Sequence, residues 1–78
     1  MLLFIVWDAV NEEKIELNDL TKDEVEEVIN GENTLWESSR SSGRMIAFGW
    51  TKTTGRFIAV PVDEVDEITV RPTTAFEP

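Results

Sequence analysis

Two runs, Arg44 to Trp50 (RMIAFGW) and Arg56 to Val62 (RFIAVPV), constrain the fold more than any other part of the chain. Each alternates with the two-residue period of a β-strand. In the first, Ile46, Phe48 and Trp50 share one side, and Met45, Ala47 and Gly49 the other. In the second, Phe57, Ala59 and Pro61 oppose Ile58, Val60 and Val62. Thr51 to Gly55 joins them and ends in glycine, as longer hairpin loops do. The pair predicts a central β-hairpin. Small Ala47 and Gly49 predict a helix packed closely on their side. The aromatics Phe48 and Trp50 are read as facing inward. Pro61 has no amide to donate, which predicts an edge or bulged position there. The same region is electrically odd. Ser38 to Val62 holds Arg40, Arg44, Lys52 and Arg56 and no acid, in a chain of net charge -9.

The remaining elements follow from local signals. Leu2 to Trp7 (LLFIVW) reads as a buried or central strand, and Asp8 ends it. Ala9 to Asp19 is ambiguous between periods. Ile15 and Leu17 alternate, while Val10, Lys14 and Leu17 fit one helical face with Asn11 as a cap. A short helix or turn is the reading taken. Thr21 followed by Glu24 is a capping box, and Leu20 and Val25 have the spacing of a hydrophobic staple. Val25, Val28 and Ile29 form the apolar stripe of a helix ended by Asn30 and Gly31, with Glu26 and Glu27 in water. Glu32 to Gly43 reads as a polar connection interrupted by Leu35-Trp36. Asp63 to Glu67 reads as an acidic loop. Ile68 to Thr74 reads as a last strand, with Ile68 and Val70 inward and Arg71 opposite. Ala75-Phe76 is expected to fold back onto the core. Together these predict one small α+β domain over residues 1–78: an antiparallel sheet of about four strands against one or two short helices.

Composition narrows the chemistry. There is no Cys and no His, so disulfides, thiolate metal sites and the usual neutral-pH proton shuttle are excluded. No acidic cluster has metal-ligand spacing, and no cofactor motif is present. The serines 38, 39, 41 and 42 lack a base and a nucleophile elbow. The apolar start is too short to span a bilayer, which predicts a cytoplasmic protein without a membrane partner. The candidate site is therefore the arginines. Arg40, Arg44 and Arg71 with nearby hydroxyls would suit phosphate, because guanidinium binds it bidentately. Arg44 and Arg56 open antiparallel strands and so should sit at opposite ends. The competing reading pairs these arginines with surface carboxylates.

Trp7-Asp8, then LTKDEVEEVI, RSSGR, AFGWT and Gly55-Arg56 occur in an order that resembles the BrnT-like toxins of the RelE-like ribonuclease group. The resemblance covers about Ile5 to Glu77. It implies an antiparallel sheet with helices near the N-terminus, an antitoxin partner and an RNA substrate. It also implies a phosphate-binding role for Arg40, Arg44, Arg56 and Arg71. The chain departs from that family before the Glu-Glu helix, where Leu17-Asn18-Asp19 replaces a Lys-His-Gly stretch. That leaves no staffed acid–base pair, so the resemblance implies RNA binding or weak ribonuclease action, with catalytic residues unassigned. The alternatives are an acidic, non-enzymatic module for a basic partner, and a small domain that self-associates through a strand edge or its aromatic face.

Overall fold

The computed structural model describes residues 2–78. The fold is α+β. Two helices, α1 (Ala9–Leu17) and α2 (Lys22–Ile29), lie on one face of a five-stranded sheet. Its strands are β1 (Phe4–Ile5), β2 (Leu35–Ser38), β3 (Met45–Trp50), β4 (Phe57–Asp66) and β5 (Thr69–Pro72), in the order β1-β5-β4-β3-β2. All neighbours are antiparallel except β1 and β5. No described helix is long and apolar enough to cross a membrane.

The hairpin is as expected, with Gly49 opposite Ile58 and Ala47 opposite Val60. The small side of β3 faces the helices. A β-carbon on Gly49 would stand 3.3 Å from a methyl of Val28. Ile58, Val60 and Val62 continue that side and are buried with Val25, Val28, Ile29, Ile15 and Leu20. Thr21 and Glu24 form the capping box, and the Leu20–Val25 staple is buried at both ends.

Several expectations change. The N-terminal strand is two residues long and lies at a sheet edge, parallel to β5, rather than in the centre. Leu35-Trp36 is part of a fifth strand, not a loop, because it pairs with Phe48 and Ala47. The acidic run Asp63 to Asp66 extends β4; Ile68 lies in the turn and is 45% exposed. Pro61 sits in the central strand. Its carbonyl accepts from the Thr73 amide at 2.9 Å. In an antiparallel pair N and O of one residue point the same way. The missing donor thus faces β5 just beyond its last strand residue. Gly31 does not take a left-handed conformation; the positive-φ glycines are Gly43 and Gly55. Gly31 is there for space, since a β-carbon would lie 2.8 Å from the Glu27 carbonyl. The aromatics of β3 do not face inward. Phe48, Trp50 and Phe57 lie on the sheet face away from the helices, with Trp50 67% exposed.

Ala9–Leu17 is helical, and its cap is Asp8, not Asn11. Asp8 accepts from the amides of Val10 and Asn11, while Asn11 reaches back to the Asp8 amide. The helix closes with the Leu20 amide on the Ile15 carbonyl and the Asp19 amide on the Glu16 carbonyl. This Schellman arrangement puts Asp19 at φ 59. Glycine suits that conformation better. Asp19→Gly is therefore expected to raise stability by about 0.5–1 kcal/mol, read as a higher urea midpoint at unchanged slope.

Candidate functional site

The four candidate arginines divide between the two ends of the sheet. Arg44 precedes β3 and its Nε donates to Asp63 Oδ1 at 2.8 Å. Arg71 lies opposite Asp63 on β5 and donates to Asp8 Oδ2 at 2.8 Å. Asp63 thus stands between Arg44 and Arg71. Arg40 is exposed in the β2–β3 turn, which the Ser39 amide closes on the Arg44 carbonyl at 2.7 Å. Among the described residues it has no carboxylate partner. These three share one end. Arg56 is at the other, where it binds Glu24, Glu77 and the Asp19 carbonyl.

Two of the paired arginines also have a structural task. Arg71 holds the carboxylate that caps α1, and this bond lowers the Asp8 pKa and raises that of Arg71. Arg56 serves Glu24, which is 3% exposed. Burial pushes the Glu24 carboxyl up. Hydrogen bonds from Thr54 and Thr21 and the charge of Arg56 outweigh it, and the net shift is downward. Glu26 and Glu27 do not simply face water. Glu26 accepts from the Trp7 indole at 2.8 Å, and Glu27 accepts from the Lys52 and Thr53 amides of the β3–β4 loop. Such acceptor roles depend on a fold that brings residues 19 to 26 positions apart together, so local sequence carries no signal of them.

The site that sequence reasoning missed is a groove on the helix side of the sheet, past the C-terminal end of α2. It holds about 220 Å³. Its apolar lining is Leu3, Trp36, Met45, Val62 and Val70, and Glu64, Asp66 and Glu67 stand at its border. Leu3 is positioned by Asn30 at the end of α2, whose Oδ1 accepts the Leu3 amide at 2.8 Å. Trp36 and Met45 pack on the core edge. Asp66 accepts from the Ile68 amide at 2.9 Å, a bond that leads the causes lowering its pKa and keeps it ionised. The β4 bulge between Glu64 and Asp66 lies at this border. An alternating apolar and acidic run across a bulge, VDEVDE, is the available sequence trace of it.

The charge is segregated as well. Residues 8–32 carry ten carboxylates against two lysines, while residues 33–78 carry six against five cations. The helical layer is thus strongly acidic and the sheet nearly neutral. Comparisons with protein-family models, curated proteins and solved structures find no match to this chain.

Proposed function

We propose that the protein is a non-enzymatic interaction module that receives a basic, partly apolar segment of a partner protein in the groove beside α2. The observation that carries this reading is the union in one groove of an apolar floor with the carboxylates of Glu64, Asp66 and Glu67. An aliphatic or aromatic side chain would lose its water against Trp36 and Met45. Lysine or arginine neighbours on the same segment would meet the border. The acidic helical layer beside it would speed the encounter and make it salt-sensitive.

A labelled peptide of alternating leucine and lysine tests this by fluorescence anisotropy. Saturable binding is expected. Glu64→Lys with Glu67→Lys should weaken it by about tenfold or more, as loss of charge pairs at a contact does. Glu13→Lys with Glu16→Lys changes the net charge equally but lies on α1, and should cost only about two- to threefold through weaker steering. Equal losses in both variants would reduce the effect to bulk charge and remove the groove from the proposal.

A second reading, RNA contact in the manner of the toxin resemblance, draws on Arg40, Arg44 and Arg71 sharing one end of the sheet. There a phosphate would compete with Asp63 and Asp8 for the guanidiniums. Single-stranded RNA in the same titration separates the two. Binding of RNA that is lost in Arg40→Ala with Arg44→Ala would favour this second reading over the first.

A further inference from the structure

We infer that the open face of the sheet is a docking surface for a second copy of this chain, giving a symmetric dimer with sheets face to face and helices outward. One face of the sheet is covered by α1 and α2; among the described residues the other has no layer over it. Leu35, Phe48, Ala59 and Phe76 form a row straight across that face, because each is the register partner of the next. Trp50 and Phe57 pair in the adjoining row, with ring centroids 5.2 Å apart. Leu35 is 59% and Trp50 67% exposed, and Phe57 and Phe76 each 37%. Ala59 itself is covered, so the exposed surface is made by Leu35, Trp50, Phe57 and Phe76 around it; an apolar surface of this kind on a small protein marks an interface.

Charge selects the occupant. The two apolar rows carry no ionisable residue; those with the same orientation lie beyond them, namely Glu37, Arg44, Asp63, Asp66 and Arg71, with the Asp8 carboxylate on Arg71. Arg44 is paired with Asp63, and Arg71 with Asp8. A charged foreign partner would therefore find little here to complement. A second copy would meet no charge across the apolar rows, although each chain carries -9. Apart from Asp8, which is held by Arg71, the acidic residues of 8–32 belong to the layer on the opposite side of the sheet and would point away from the twofold axis. An isologous contact needs a self-complementary patch, which the uncharged apolar rows provide. Packed sheets sit about 10 Å apart, with inner side chains interdigitating. Five strands at about 4.8 Å spacing place the outer strand axes roughly 19 Å apart, within the 28 Å extent of the molecule. Two such faces together can reach the ~1,000 Å² that a specific interface requires. The groove beside α2 lies on the other side, so the dimer would present it twice. The inference does not depend on that groove binding anything.

Sedimentation equilibrium of the full chain over a wide concentration range tests the proposal. The expected result is association from 8.9 kDa to twice that mass, strengthened by added salt, which screens the repulsion between two acidic chains. Trp50→Glu should raise the dissociation constant by about tenfold or more while leaving the circular dichroism spectrum unchanged. Leu35→Ser, diagonally next to Trp50 on the neighbouring edge strand and likewise outside the buried core, should also weaken association and guards against a folding defect in the first variant. A wild-type chain that stays at 8.9 kDa at the highest concentration overturns the proposal, as does a dimer that both folded variants leave intact.

Discussion

Asn11→Ala is expected to cost about 3–4 kcal/mol, the largest loss from any polar substitution in this chain. Asn11 is completely buried. Its amide donates to the carbonyls of Val6 and Pro72, at 3.0 and 2.9 Å, and its oxygen accepts the Asp8 amide at 2.8 Å. Those three groups belong to the end of β1, the end of β5 and the start of α1. Alanine would leave all three without that partner, and each unsatisfied buried group costs about 1–3 kcal/mol, reduced where water can enter. A chain of this length has a total stability of roughly 4–12 kcal/mol. The variant should therefore melt about 12–32 °C lower, or fail to fold at 37 °C. Asn18→Ala is the control. Asn18 also joins distant segments, donating to the Ala75 carbonyl at 2.8 Å, but it is exposed. Its loss should stay near 1 kcal/mol, because water replaces the bond. Similar losses in the two would show that burial at Asn11 is not what matters.

Asn11 also marks where the sequence stops being legible. Short-range rules found the hairpin, the Thr21 capping box and the small face of β3 that receives Val28. Those signals are local and their partners lie within a few residues or across one turn. Leu35-Trp36 was read as loop, because four residues of strand bounded by Glu32 and Ser39 offer almost no period. Its pairing with β3 supplies the order instead. β1 was misplaced for a related reason. A solid apolar run can mark a central strand, but here Leu3 and Ile5 pack inward while Leu2 and Phe4 stay exposed at an edge. The aromatics of β3 and β4 point outward although their alternation was read correctly. Alternation says which residues share a face, and cannot say which face a helix covers. Small Ala47 and Gly49 decided that question, since the helix needs a close approach. The placement of Arg44 and Arg56 at opposite ends was legible from strand direction alone. Their carboxylate partners lie 19 to 32 positions away, beyond any local rule.

Glu24→Ala is expected to cost about 3 kcal/mol, and its pH dependence distinguishes its role from simple helix capping. Glu24 accepts the Thr21 amide at 3.0 Å, the Thr54 hydroxyl at 2.6 Å and an Arg56 nitrogen at 3.3 Å. The cap alone contributes about 1 kcal/mol, and charge-assisted bonds about 1.5–3 kcal/mol. The folded pKa lies below the unfolded one. The stabilisation is thus fully present above the ordinary carboxyl range and is lost as pH falls through the folded pKa. In the wild type the urea midpoint should fall below about pH 4. Asp8, Glu27 and Asp66 shift in the same direction and contribute to that fall. Glu24→Gln keeps an acceptor but cannot titrate, so its acid limb should be shallower. An unchanged acid limb would mean that Glu24 is not a main source of the pH dependence. The same network bears on Arg56. Removing it would leave Glu24 buried beside two hydroxyls with no cation, so Arg56→Ala should lower stability in the absence of any ligand. Loss of RNA binding in that variant would then be uninformative until its folded fraction is known. Arg40→Ala touches no carboxylate and is the cleaner probe of phosphate contact.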